Sequence, residues 1–162
     1  MKPTETLHQL LGAYLDKTAL RGRHEAVARI VGQYDVNNTY QYVIAREDQH
    51  LRWLADAVVD LGGAVPDPPA QQTVTPVKGD EALCRVVGED AQGLEAFVGA
   101  WRPRVAAITN ARHRLMLELM LGETQEQARL LHQAAAGRLD LLGRRTGGDR
   151  LAGSVLPTRW VE

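Results

Sequence analysis

Four prolines, Pro66, Pro68, Pro69 and Pro76, interrupt a chain that is otherwise patterned for helix. Proline removes a backbone donor and clashes with the preceding turn, so no regular helix runs through this stretch. On either side, apolar residues return every three or four positions, which is the period of one helix face. Gln71 to Thr75 reads as extended, and residues 64–90 as a whole read as a long crossover, with one short helical turn near 81–87. Long loops without structure are uncommon in compact domains. A crossover of this length has a purpose if it returns the chain along a helical bundle.

The remaining segments supply the helices. Thr4 or Thr6 caps the first, whose apolar positions include Leu7, Leu10, Leu11, Tyr14, Leu20, Val27, Ile30 and Val31. Gly12 and Gly22 weaken it by about 1 kcal/mol each relative to Ala without breaking it. Residues 33–38 read as a tight turn using Asp35, Asn37 and Asn38. A second helix spans about Thr39 to Leu61 and stops at Gly62-Gly63. Asp90 caps a third helical region, carrying Leu94, Phe97, Val98, Trp101, Val105, Ile108, Leu115 and Leu119, which Pro103 kinks or splits. A break at Gly122-Glu123-Thr124 starts the last helix, with Ala128, Leu131, Ala135, Leu139 and Leu142 on one face. The expected fold is all-α: a four-helix bundle over residues 1–143 with a long crossover between helices 2 and 3. Residues 144–162 form a Gly- and Arg-rich tail whose apolar end, with Trp160, docks on the bundle or on a neighbour.

At 162 residues the chain is long enough for one domain with a full core. A formal net charge of −1 gives no electrostatic reason to bind nucleic acid or an anionic membrane. No apolar run is long enough to span a bilayer, and the N-terminus lacks a signal-peptide pattern. One cysteine, Cys84, cannot form an internal disulfide. A soluble, cytoplasmic, bacterial protein is the expectation.

The chemistry concentrates in the second helix. Tyr40, Val43, Ile44, Glu47, His50, Leu51, Leu54, Val58 and Leu61 share one face. Glu47 and His50 therefore point where Val and Leu point. A buried carboxylate is costly unless a cation, hydrogen bonds or a metal compensates it. Glu25 lies eight residues before Gln33 and Glu47 nine after Asn38, so the two are nearly level; His24 is the neighbouring candidate. In the second hairpin, His113 and His132 lie nine residues before and ten after Gly122, so they are also expected to be level. Glu118, Glu123 and Glu126 then fall near the turn, too close to the bundle end for a central site. Arg129 stands where a second Glu-x-x-His motif would place its Glu. Turned outward it is solvated; turned inward it would be a cation for Glu47 in place of a metal.

The segment from Ala45 through Glu47, His50 and Leu54 to Gly62, Gly63 and Pro66 resembles the second helix of rubrerythrin-like and related bacterial ferritin-like domains. The resemblance in motif covers residues 25–66, and the resemblance in architecture covers residues 4–143. It implies a carboxylate-bridged iron or manganese pair used for iron oxidation, storage or peroxide reduction. The implied metal ligands are Glu25, Glu47, His50, His113 and His132. Two other functions fit the same residues. One is a metal-free ferritin-like interaction or assembly module, expected as a homodimer, in which Glu47 and His50 form a buried network that sets helix register. The other is a bundle enzyme holding a single metal through His50, His113 and His132.

Overall fold

The structure, a computed structural model, describes residues 2–139 and 141–142. Four α-helices form a bundle: α1 (Pro3–Ile30), α2 (Tyr34–Asp60), α3 (Asp80–Ala106) and α4 (Ala111–Ala135). A crossover over residues 61–79 joins α2 to α3, as the prolines require. None of the described helices is long and apolar enough to cross a membrane. The docking expected of the tail falls outside the described residues.

The connections differ from the expected ones in ways that matter for the site. α2 begins five residues earlier than expected, because Gln33 acts as its cap and accepts a bond from the Val36 amide at 2.6 Å. Asn37 lies inside the helix and donates back to the Ala28 carbonyl at 2.8 Å, satisfying the end of α1. α3 starts at Asp80 after Gly79, whose φ of 88° is open to glycine, so residues 81–87 belong to the helix and not to the crossover. Pro103 sits in the last turn of α3, close to where the helix stops anyway. The turn between α3 and α4 falls at residues 107–110, where Asn110 caps α4 by accepting from the His113 amide at 3.2 Å. The expected break at Gly122-Glu123-Thr124 is thus the middle of one continuous helix.

Helix directions follow from the contacts. Asp16 meets Trp101 and Arg23 meets Asp90, so α1 and α3 are antiparallel. Asp60 meets Arg112 and His50 meets Glu123, so α2 and α4 are antiparallel. With tight turns inside each hairpin, the order is up-down-down-up, and the crossover must climb the bundle. Gly63 starts it against Leu7, Gln72 donates to the Ala19 carbonyl at 2.8 Å, and Val74 reaches the core at the other end.

The interior is layered. One apolar cluster joins Val27, Val31, Tyr40, Val43, Val87, Leu94 and Leu131; the other joins Leu10, Leu54, Val58, Phe97, Trp101, Leu117 and Met120. Between them, three helices turn polar residues inward: Lys17 and His24 from α1, Glu47 and His50 from α2, Thr124 and Gln127 from α4. The fourth wall, from α3, stays apolar at this level with Leu94 and Phe97.

Candidate functional site

The polar belt is built around Glu47. Lys17, His24, Glu47 and His50 are each 0% exposed. The Lys17 ammonium lies 3.8 Å from Glu47 Oε1, donates to Thr124 Oγ1 at 2.9 Å and sits 5.1 Å from the centre of the Phe97 ring. Thr124 in turn donates to the Met120 carbonyl at 2.8 Å, so its hydroxyl is oriented to accept from the lysine. His24 Nδ1 lies 2.9 Å from Glu47 Oε2. A carboxylate only accepts, so Nδ1 carries the hydrogen. Glu47 thus faces an ammonium on one oxygen and an imidazole N–H on the other.

A second cluster adjoins it. His50 Nε2 lies 2.6 Å from Glu123 Oε2, and Arg46 grips the same carboxylate with distances of 2.7 Å to each oxygen. Toward the other end, the Tyr40 hydroxyl donates to Asp90 at 2.5 Å, and Arg23 donates to the second Asp90 oxygen at 2.9 Å. Charged bonds at the margin of the interior therefore tie α2 to α4 and α1 to α3.

Burial sets the electrostatics. It pushes Lys17 down to about 8, while Glu47 and Glu123 pull the other way. The ammonium therefore stays mainly charged at neutral pH. Burial, and then the Lys17 charge, push His50 down to about 4, against the pull of Glu123. His50 is thus a neutral imidazole at pH 7. Burial raises the Glu123 carboxyl, but its bonds from Arg46 and His50 win and hold it below the ordinary value. Burial, followed by the charge on Asp90, moves the Tyr40 phenol well above its usual range.

Five residues carried the metal expectation. Among the described residues, no group of three or more His, Cys, Asp or Glu side chains is placed to hold a metal ion. The iron or manganese centre, the metal ion as partner, and a single metal held by three histidines are overturned together. Glu47 and His50 do point inward, but each is already engaged, with His24 and Lys17 or with Glu123. Glu25 lies on the outside of α1, ion-paired with Arg21 and Arg29. His113 and His132 are not level across a hairpin; both lie on α4, 19 residues or about 28 Å apart. His113 sits at the α4 N-terminal end, and His132 bonds Glu95 on the surface at 2.9 Å. Arg129 points outward and pairs with Glu126.

The residues that sequence reasoning missed are Lys17, Thr124, Gln127 and the inward role of Glu123. Lys17 had a signal: Leu10, Lys17, His24 and Val31 are seven apart, so one stripe of α1 carries all four. Glu123 was misplaced only because the turn was misplaced.

Compared with known proteins, the chain matches no family, no curated sequence and no solved structure. What can be said of its function rests on this geometry.

Proposed function

We propose that the chain is a metal-free four-helix bundle, ferritin-like in plan, that serves as an interaction or assembly module. The observation that carries this reading is the Lys17–Glu47–His24 group. A cation built into the chain stands beside the one carboxylate that a metal would otherwise neutralise. The up-down-down-up order with its long crossover supports the ferritin-like plan. The unpaired Cys84 supports a cytoplasmic setting. In this reading Glu47 and His50 set the register of α2 against α1 and α4, because a one-turn slip would leave four buried polar groups without partners.

The test is thermal unfolding of the purified protein with chelator and with added Fe(II), Mn(II) or Zn(II). The expected result is an unchanged melting temperature in every case, with no stoichiometric transition metal by elemental analysis. A melting temperature that rises by several degrees with one metal and returns with chelator would overturn the reading, since a ligand that binds only the folded state must stabilise it.

A further inference from the structure

The polar belt at the centre of the bundle is bonded incompletely. Six buried side-chain polar atoms lack a hydrogen-bond partner among the described residues, and five of them lie in this belt: His24 Nε2, Glu47 Oε1, His50 Nδ1 and both amide atoms of Gln127. The four side chains that carry them are 0% or 1% exposed. Buried polar atoms are as a rule paired, so a concentration of exceptions in one place needs a cause. The helices bring these atoms to one height. His50 meets Glu123 across antiparallel helices; Glu47 lies three residues before the one and Gln127 four after the other. Glu47 and Gln127 are therefore level to within about 1.5 Å. His24 joins them through its bond to Glu47. α3 supplies no polar partner at this level, where it presents Leu94 and Phe97.

The hydrogens decide what fits. His24 Nδ1 carries its ring hydrogen toward Glu47, so Nε2 keeps a lone pair. His50 Nε2 carries its hydrogen toward Glu123, so Nδ1 keeps a lone pair too. Glu47 Oε1 can only accept. The belt is short of hydrogens, which an anion cannot bring. A second cation is not needed, because the Lys17 ammonium already stands beside Glu47. These atoms do not converge as a metal site does, but water needs them only two or three at a time. The 3.8 Å between Lys17 Nζ and Glu47 Oε1 is too long for a direct bond and short enough for one water to reach both. Lys17 gives one hydrogen to Thr124 and has two more to give.

We infer that the belt is a binding site for ordered water, one molecule of which accepts from Lys17 and donates to Glu47 Oε1 and to the Gln127 amide oxygen. Three bonds are the usual complement of a buried water. The inference rests on the metal-free reading above and makes its register lock a hydrated one.

Deuteron magnetic relaxation dispersion of the full chain counts long-lived internal waters, and urea unfolding of Gln127→Leu gives the sign of the Gln127 contribution. The expected result is at least one long-lived water in the wild type, fewer in Gln127→Leu, and a lower urea midpoint for that variant, because the water loses a partner. In a dry belt Gln127 would be a buried amide bonded to nothing, and an apolar side chain of similar size would raise the midpoint. A wild type without long-lived water, or a raised midpoint in Gln127→Leu, overturns the inference and leaves the metal-free reading standing. If Gln127→Leu does not fold, the wild-type count alone decides. Metal-dependent melting is the separate result that would remove the metal-free reading itself.

Discussion

Lys17 is the residue on which the interior depends. Removing one member of a buried ion pair leaves the other uncompensated, which costs several times what the pair contributes. Lys17→Met is expected to destabilise the fold by about 3 kcal/mol. Lys17→Met combined with Glu47→Leu should recover most of the loss, because neither charge then remains. Urea unfolding of the two single variants and the double variant measures the coupling directly. His50 gives a pH signature. Its folded value of about 4 lies below the unfolded value of about 6.5, so across that window the unfolded chain binds a proton that the folded chain refuses. Stability is therefore lost as pH falls from about 6.5 to about 4. Glu123 acts in the same direction, its contribution present above its unfolded value and lost as pH falls through its folded one. Melting temperatures between pH 4 and pH 7 should fall steeply on the acid side, and His50→Gln, which keeps a donor for Glu123, should flatten that slope. At this scale the sequence was legible in kind. Glu47 and His50 are inward because they share a stripe with Tyr40 and Leu54, and periodicity shows that. It does not show which group compensates Glu47, since that depends on how far α1 and α4 are slid along α2.

The helices themselves were legible because their apolar residues recur at helical spacing. Their ends were less so. Gly122 punctuates strongly in sequence, yet it lies on the exposed side of α4, where a missing side chain costs only propensity. The true turn at residues 107–110 holds neither glycine nor proline and was masked by Ile108, which is buried. Asn110 was the available signal, a capping residue three before His113. Moving this turn by about 13 residues moved every ligand assigned to the second hairpin, placing His113 at one end and Glu123 at the centre. Asn110→Ala is expected to cost about 1 kcal/mol, read as a lower urea midpoint with unchanged slope. The junction at Gly63 should be more sensitive. A Cβ there would lie 2.6 Å from Leu7 and 3.1 Å from the Val58 carbonyl. Gly63→Ala should therefore destabilise by about 1–3 kcal/mol, visible in the same experiment, because the backbone oxygen cannot step aside.

At the scale of the whole molecule, the crossover divides the chain into two helical hairpins whose internal contacts are close in sequence. Each hairpin buries only half of the layered interior. α1 and α2 bring Lys17, His24, Glu47 and His50, while α4 brings Thr124 and Glu123 to receive them. The loop over residues 61–79 contributes little to the core beyond Leu61, Val65 and Val74. Closing such a loop carries an entropic cost that grows only slowly with its length. Severing it should therefore leave recognition intact. Peptides covering residues 1–66 and 78–142 are expected to be weakly helical apart and to regain a cooperative melt when mixed, a result circular dichroism titration reads directly. Lys17→Met in the first fragment should weaken that reunion more than it weakens either piece. The bundle would then serve as a split pair: a chain whose two halves find each other by matching one buried charge with one waiting hydroxyl.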